Sequence, residues 1–143
     1  MKELFRIQHK ETGHGICDTD ANRRLFVKDK ETQEELPLDT YMFRHECKKF
    51  LWDMLTPRED PCLKVKFHYG YYFGFPSIES LERQLKPEDL AHFKHAGFQI
   101  VKIKVKKLVE DYWGKQVMYL PSDVVKKEDV TELIFNKERA LAG

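Results

Sequence analysis

Six side chains on three separated stretches are of types that could hold a flat, charged ligand. Arg6 and His9 lie on and just after an early alternating run. Tyr71, Tyr72 and Ser77 lie where an aromatic run breaks into a helix start. Gln116 opens a late, short apolar run. A cationic side chain attracts phosphate, an aromatic face suits a planar ring, and a capped helix start offers amides to an anion. Polar residues at the ends of separated strands are how a sheet lines a cleft. Singly, each has a plain structural reading: Arg6 as a solvated strand residue, Ser77 as a cap, Gln116 as an edge residue. Their joint order is what points to a site.

The elements that must position them radiate from residues 67–85, FHYGYYFGFPSIESLERQL. The first half carries six aromatics in nine residues, a composition suited to a pleated strand. Gly74 and Pro76 interrupt the strand, Ser77 caps, and Ile78, Leu81 and Leu85 recur at helical spacing. Upstream, Leu4, Arg6 and Gln8 alternate with Phe5, Ile7 and His9 in a first strand, followed by a glycine-bearing turn over 10–15. Residues 25–28 are predicted to form a short strand and 29–37 a charged loop. Asp39 or Thr40 is expected to cap a helix whose apolar stripe is Phe43, Cys47, Phe50, Leu51, Met54 and Leu55. Residues 63–72 alternate as a half-buried strand.

Downstream, Pro87 opens a helix that Gly97 stops. Residues 98–106 alternate most strictly, with Val101, Ile103 and Val105 set against Lys102, Lys104 and Lys106. Residues 108–115 are expected to be loop, 116–120 a last strand, and 127–143 a C-terminal helix with a frayed end. Strands and helices mix without a strand–helix–strand rhythm, which predicts an α+β class.

A chain of 143 residues fits a single domain, 1–143. Its formal net charge of +1 creates no global field toward nucleic acid or an anionic membrane. No run approaches the apolar length of a membrane span, and the charged opening MKELFRIQHKE lacks a signal-peptide core. Cys17, Cys47 and Cys62 are odd in number and unpaired in spacing, which predicts reduced thiols and a cytoplasmic setting.

Other chemistries have weaker sequence signals. His92 and His95 share a helix face, yet no further ligand stands at zinc spacing, so a solvated face is expected and no metal is assigned. His45-Glu46-Cys47 lacks the second histidine of a helical zinc protease. Neither glycine-rich phosphate motif is present. Lys102, Lys104, Lys106 and Lys107 form a basic row beside aromatics able to stack bases, diluted by Glu110 and Asp111. Lysines on an exposed strand more often protect an edge.

The order of LFRIQH (4–9), YYFGFPSIESL (71–81) and GKQVMY (114–119) resembles the ADP-ribosyltransferase superfamily. Across most of the chain, FRIQHKETG, FGFPSIESL, HAGFQIVKIKV and GKQVMYL resemble small phage or prophage proteins of uncharacterised role. The first resemblance implies a split, mostly antiparallel sheet flanked by helices, and NAD as cofactor. Arg6 or His9 would bind its ribose or phosphates, Tyr72 with Tyr71 or Phe73 would stack on nicotinamide, and Ser77 would touch a phosphate. Gln116 would stand at the family's glutamate position. An amide carries no charge and cannot serve as a base, so this departure leaves turnover open. The resemblance thus implies ADP-ribosyl transfer to a host macromolecule, or a degenerate relative that binds a nucleotide or a protein, in the bacterial host cytoplasm. The alternative is a non-enzymatic protein that inhibits a host defence complex through Tyr69, Tyr71, Tyr72 and the lysine strand. A third reading is a nucleic-acid binder using Lys102, Lys104 and Lys106.

Overall fold

Alternation at the N-terminus becomes strand β1, Lys2–His9, which pairs antiparallel along its length with β5, Phe98–Val105. The computed structural model describes residues 1–13, 24–45, 71–110 and 117–136. The far edge of β5 pairs with β8, Val124–Asp129, to complete a three-stranded sheet in the order β1-β5-β8. A second sheet joins β4 (Tyr72–Gly74), β7 (Val117–Tyr119) and β6 (Val109–Glu110) in the order β4-β7-β6. Strands β2 (Phe26–Lys28) and β3 (Glu35–Pro37) form a separate ribbon. Helices α1 (Leu38–Arg44), α2 (Ile78–Gln84) and α3 (Pro87–His95) complete an α+β arrangement in which every described pairing is antiparallel.

The two three-stranded sheets meet at one seam. Phe5 N–H donates to Phe75 O at 2.8 Å, and Phe75 N–H donates to Phe5 O at 2.7 Å. Glycine at 74 is required by this approach. A Cβ there would lie 2.5 Å from Leu4 Cδ1 and 2.8 Å from the Phe5 carbonyl oxygen.

Alternation on β1 and β5 sorts the core into two clusters. On one face, Ile7, Phe98 and Ile100 pack beneath α2 and α3 with Leu81, Leu85 and Phe93. On the other, Leu4, Val101, Ile103 and Val105 pack with Val117 and Tyr119 of the second sheet. β5 is therefore buried on both faces at different points along its length. Its lysines emerge only past Ile100, on the face that Ile100 shares.

Local signals place the helices. Ser77 Oγ accepts from Ser80 N–H at 3.1 Å and caps α2. Pro87 opens α3, and Gly97 takes φ +96° just after it, the left-handed geometry of a helix stop.

Several expectations need correction. The charged loop predicted over 29–37 is a turn followed by a return strand, β3, because the Asp29 carboxylate organises the turn and Leu36 buries against the core. Helix α1 begins at Leu38, ahead of the expected caps Asp39 and Thr40, and buries Leu38, Tyr41 and Met42. The rest of the predicted stripe, from Cys47 to Leu55, lies outside the described residues, as do 63–70 of the predicted strand. Within the loop expected over 108–115, Val109–Glu110 forms β6. The C-terminal helix expected over 127–143 is not what residues 127–136 form. Residues 127–129 close strand β8, and Thr131–Leu133 is one 3-10 turn. Pairing to β5 supplies backbone partners along the edge that a helix would forgo. Residues 137–143 lie outside the described residues.

Thr131 ends the ladder by standing in for a strand residue. Its Oγ1 accepts from Ile100 N–H at 2.9 Å and donates to Asp129 Oδ1 at 2.6 Å. Thr131→Val should therefore cost about 1–3 kcal/mol, because it leaves a buried amide without its acceptor. A chemical denaturation midpoint measures this.

Candidate functional site

Arg6 and Tyr72 do come together. Arg6 lies on the β1 face that carries Leu4, points toward the second sheet, and is 8 % exposed. Its Nη1 donates to Phe73 O at 2.7 Å, and its guanidinium carbon sits 4.8 Å from the centroid of the Tyr72 ring. A longer contact of 3.5 Å joins Nη2 to Gly13 O. Tyr72 meets Tyr119 edge-on at 5.9 Å. This is a cation–π corner in which the arginine ties β1 to β4. The solvated-strand reading of Arg6 is thus replaced by a buried, bonded one.

Two further polar groups share that side of β1. Tyr119 Oη and Gln8 Oε1 are buried and have no hydrogen-bond partner among the described residues. Burial pushes the Tyr119 phenol above its ordinary 10.0, with the Arg6 charge opposing and Tyr72 adding to the rise. Removing an unsatisfied buried hydroxyl relieves a desolvation cost. Tyr119→Phe should leave stability unchanged or raise it by up to about 1 kcal/mol. A drop in the thermal midpoint would show that the hydroxyl has a partner.

The remaining expected residues are distributed differently. His9 is on the opposite face of β1. It packs edge-on against Phe98 at 5.4 Å, its Nδ1 accepts from Glu11 N–H at 3.2 Å, and a Cβ at Gly97 would approach its Nε2 to 2.7 Å. Ser77 is engaged as the α2 cap, and Tyr71 is half-buried just ahead of β4. Gln116, and with it the proposed catalytic position, lies outside the described residues, as do Cys17, Cys47, Cys62 and Tyr69. Arg6, Gln8, Tyr72 and Tyr119 thus share one side of β1, and His9 lies on the other.

The lysine row is balanced by its register. Glu128 and Glu3 sit directly opposite Lys102 and Lys104, and the ion pairs close at 3.6 and 3.8 Å. Lys126 lies across from Lys104 on the outer strand. Exposed pairs contribute little stability, yet they dilute the field that would attract a phosphate backbone.

A second polar centre was not legible from spacing. It joins the β2–β3 ribbon to α1 and α3. Asp29 is wholly buried at the start of the ribbon turn. Its Oδ1 accepts from Glu31 N–H at 2.8 Å and Thr32 N–H at 3.3 Å, while its Oδ2 lies 3.2 Å from His45 Nε2 and 3.5 Å from Arg44 Nη1. The Glu31 amide leads in holding this carboxylate below its ordinary 3.8, against the effect of burial, with Thr32 and His45 assisting. The His45 ring stacks on His92, with centroids 4.3 Å apart and planes 21° off parallel. His92 Nδ1 is 3.1 Å from Tyr41 Oη, and His95 Nε2 is 2.5 Å from Lys28 O. The His92/His95 face expected to be solvated thus packs on α1 and the ribbon. The sequence did carry a hint: Asp29 opens a polar turn motif, and Asp at that position accepts from amides two residues on. No described set of three or more His, Cys, Asp or Glu side chains is placed to hold a metal ion.

The outer face of the ribbon is apolar at one point. Phe26, opposite Pro37, is 64 % exposed, while Val27 and Leu36 point inward.

The sequence pattern of the family described as "Bacteriophage T4 Y00F protein" matches residues 1–132. The chain belongs to this phage protein family. The match takes in β1, the seam, both sheets and the ribbon, so the Arg6 corner and the histidine centre both lie within the family's span. It bears out the phage-type resemblance of FRIQHKETG and FGFPSIESL. The family's description does not mention a transferase. No curated protein and no solved structure matches the chain. Among the described residues, no helix is long and apolar enough to cross a membrane.

Proposed function

We propose that this phage-family protein acts in the infected host's cytoplasm by binding a host protein or protein–nucleic acid complex, with the β2–β3 ribbon as its recognition element. The observation that carries this reading is an exposed aromatic on a rigid support. Phe26 is 64 % exposed on a ribbon whose turn is pinned by the buried Asp29 carboxylate. Loops and hairpins held by a rigid scaffold are where binding concentrates, and exposed aromatics are favoured interface anchors. Inhibition of a host defence complex is the role this surface would serve.

Phe26→Ser removes no core contact, so the folded state should be retained, with a thermal midpoint close to the parent's. Affinity for the captured host partner should fall at least about tenfold, the scale of an aromatic anchor. Equal affinity of the two proteins would rule out the ribbon as the contact.

NAD binding is the second reading, and the meeting of Arg6 with Tyr72 favours it. Here the ring would take nicotinamide, Arg6 would face a phosphate or ribose, and Gln116 would bond a ribose hydroxyl. ADP-ribosyl transfer would follow if an acceptor were positioned, on an ADP-ribosyltransferase-like split sheet. Incubation with labelled NAD and host lysate tests it: label on a host macromolecule, abolished by Arg6→Met, supports transfer. Unchanged NAD with no protection of the corner in exchange experiments counts against both transfer and binding.

A further inference from the structure

On the side of β1 that faces the second sheet, the lining turns from apolar to polar along the strand. Leu4 packs there with Val101, Ile103, Val105 and Val117. Next along the same side, Arg6 and Gln8 bring a guanidinium and a carboxamide. Arg6 is 8 % exposed, Gln8 5 % and Tyr119 1 %. Gln8 Oε1 and the Tyr119 hydroxyl have no hydrogen-bond partner among the described residues, although Gln99 stands directly across from Gln8. Buried polar atoms are nearly always bonded, and leaving one unpaired destabilises the fold. Phenylalanine at 119 would fill the same space without the orphan hydroxyl. Two such atoms beside one buried cation weaken the free protein, and a ligand that bonds them relieves both.

We propose that this corner binds a flat, uncharged ligand through a planar amide edge, an N–H beside a C=O, of the kind carried by an aromatic carboxamide or a nucleobase lactam. The ligand N–H donates to Gln8 Oε1, and the Tyr119 hydroxyl donates to the ligand C=O. Burial raises the Tyr119 phenol above its ordinary 10.0, so it is protonated and able to donate at neutral pH. The Arg6 guanidinium, fixed by its 2.7 Å bond to Phe73 O, places positive charge beside that phenol and favours a carbonyl oxygen there. The half-buried Tyr72 ring lies 4.8 Å from the guanidinium carbon and edge-on to Tyr119 at 5.9 Å, and supplies an aromatic wall. An anion would suit Arg6 but would set its own oxygen against Gln8 Oε1, so a neutral amide fits the pair better.

Gln8 and Tyr119 have no part in the NAD reading above, and the amide edge is common to carboxamides and nucleobases, so the site stands whether or not NAD is its source. None of its residues belongs to the ribbon. A site built around hydrogen-bond partners rejects analogues that lack them, because its own buried atoms are again left unpaired.

Titration of the full chain with benzamide, uracil and benzoate, followed by amide resonances and calorimetry, tests this. Benzamide or uracil should bind with a Kd on the order of millimolar or tighter, shifting the amides of Arg6, Gln8, Tyr72 and Tyr119. Binding of benzamide alone assigns an exocyclic carboxamide, and binding of uracil alone a ring lactam. Benzoate, which lacks the N–H, should bind at least about tenfold more weakly. Tyr119→Phe should weaken the amide ligand by about tenfold or more while the free protein keeps or raises its thermal midpoint. Gln8→Met should weaken it to a similar degree. The proposal is overturned if neither amide binds at about 10 mM, if benzoate binds as tightly, or if the variants keep the parent's affinity. It is also overturned if Tyr119→Phe lowers the midpoint of the free protein, because the hydroxyl would then already be bonded. Should Gln8→Met fail to fold, Tyr119→Phe and the benzoate comparison decide. NAD is a separate arm. Amide binding without NAD binding counts against the NAD reading and leaves this site standing, whereas NAD binding with neither amide bound overturns the amide edge alone.

Discussion

Truncating Leu4 to alanine should cost about 2–5 kcal/mol, the range for a fully buried leucine whose site cannot collapse. Leu4 is fully buried in the cluster shared by both sheets, and its Cδ1 occupies the space a side chain at 74 would need. Gly74→Ala should cost about 1–3 kcal/mol by overpacking, because its methyl meets both Leu4 and the Phe5 carbonyl oxygen. The two changes should not add. Alanine at position 4 removes the 2.5 Å approach, but the 2.8 Å approach to the backbone oxygen remains. The double variant should therefore be less destabilised than the sum of the singles, by about 0.5–3 kcal/mol, yet still below wild type. Denaturant unfolding of the four proteins measures the coupling. Simple additivity would mean that Leu4 and residue 74 do not share one space at the seam.

Asp29→Ala should release the ribbon. It removes the acceptor of two turn amides and the partner of both His45 and Arg44. Exchange protection at Gln33 should collapse, and the thermal midpoint should fall by several degrees, on the order of 5 °C or more. Acid should reproduce the effect. The folded carboxylate is held below 3.8, so its stabilising contribution is present above 3.8 and is lost as pH falls through the lower folded value. Asp29→Asn separates the roles. It keeps one acceptor oxygen for the turn while losing the charge beside His45 and Arg44, and should fall between wild type and alanine. An alanine variant with an intact, protected turn would show that β2 and β3 pair without this carboxylate.

How much was legible depends on how local the cause is. Ser77 as a cap, Pro87 as a helix opener, Gly97 as a stop and the strict alternation of 98–105 were all determined by the sequence, because each rests on dihedral preference or on a side-chain period of two or 3.6. The α+β class followed from the same signals. Register and pairing belong to the tertiary structure. Residues 124–129 carry four successive charged residues and no clear period, and β5 makes them a strand by offering them an open edge. Arg6 and His9 are three apart on one strand, an odd spacing that sends them to opposite faces, so no single crevice can use both. Asp29, His45 and His92 are far apart in sequence, and their spacing has no period to read; only the packing of ribbon on helices brings the carboxylate within bonding distance of one imidazole and stacks a second on it. The sequence determines which backbone each segment prefers, because that choice is made by neighbouring residues. Which side chains meet is decided by burial and strand pairing across the whole chain.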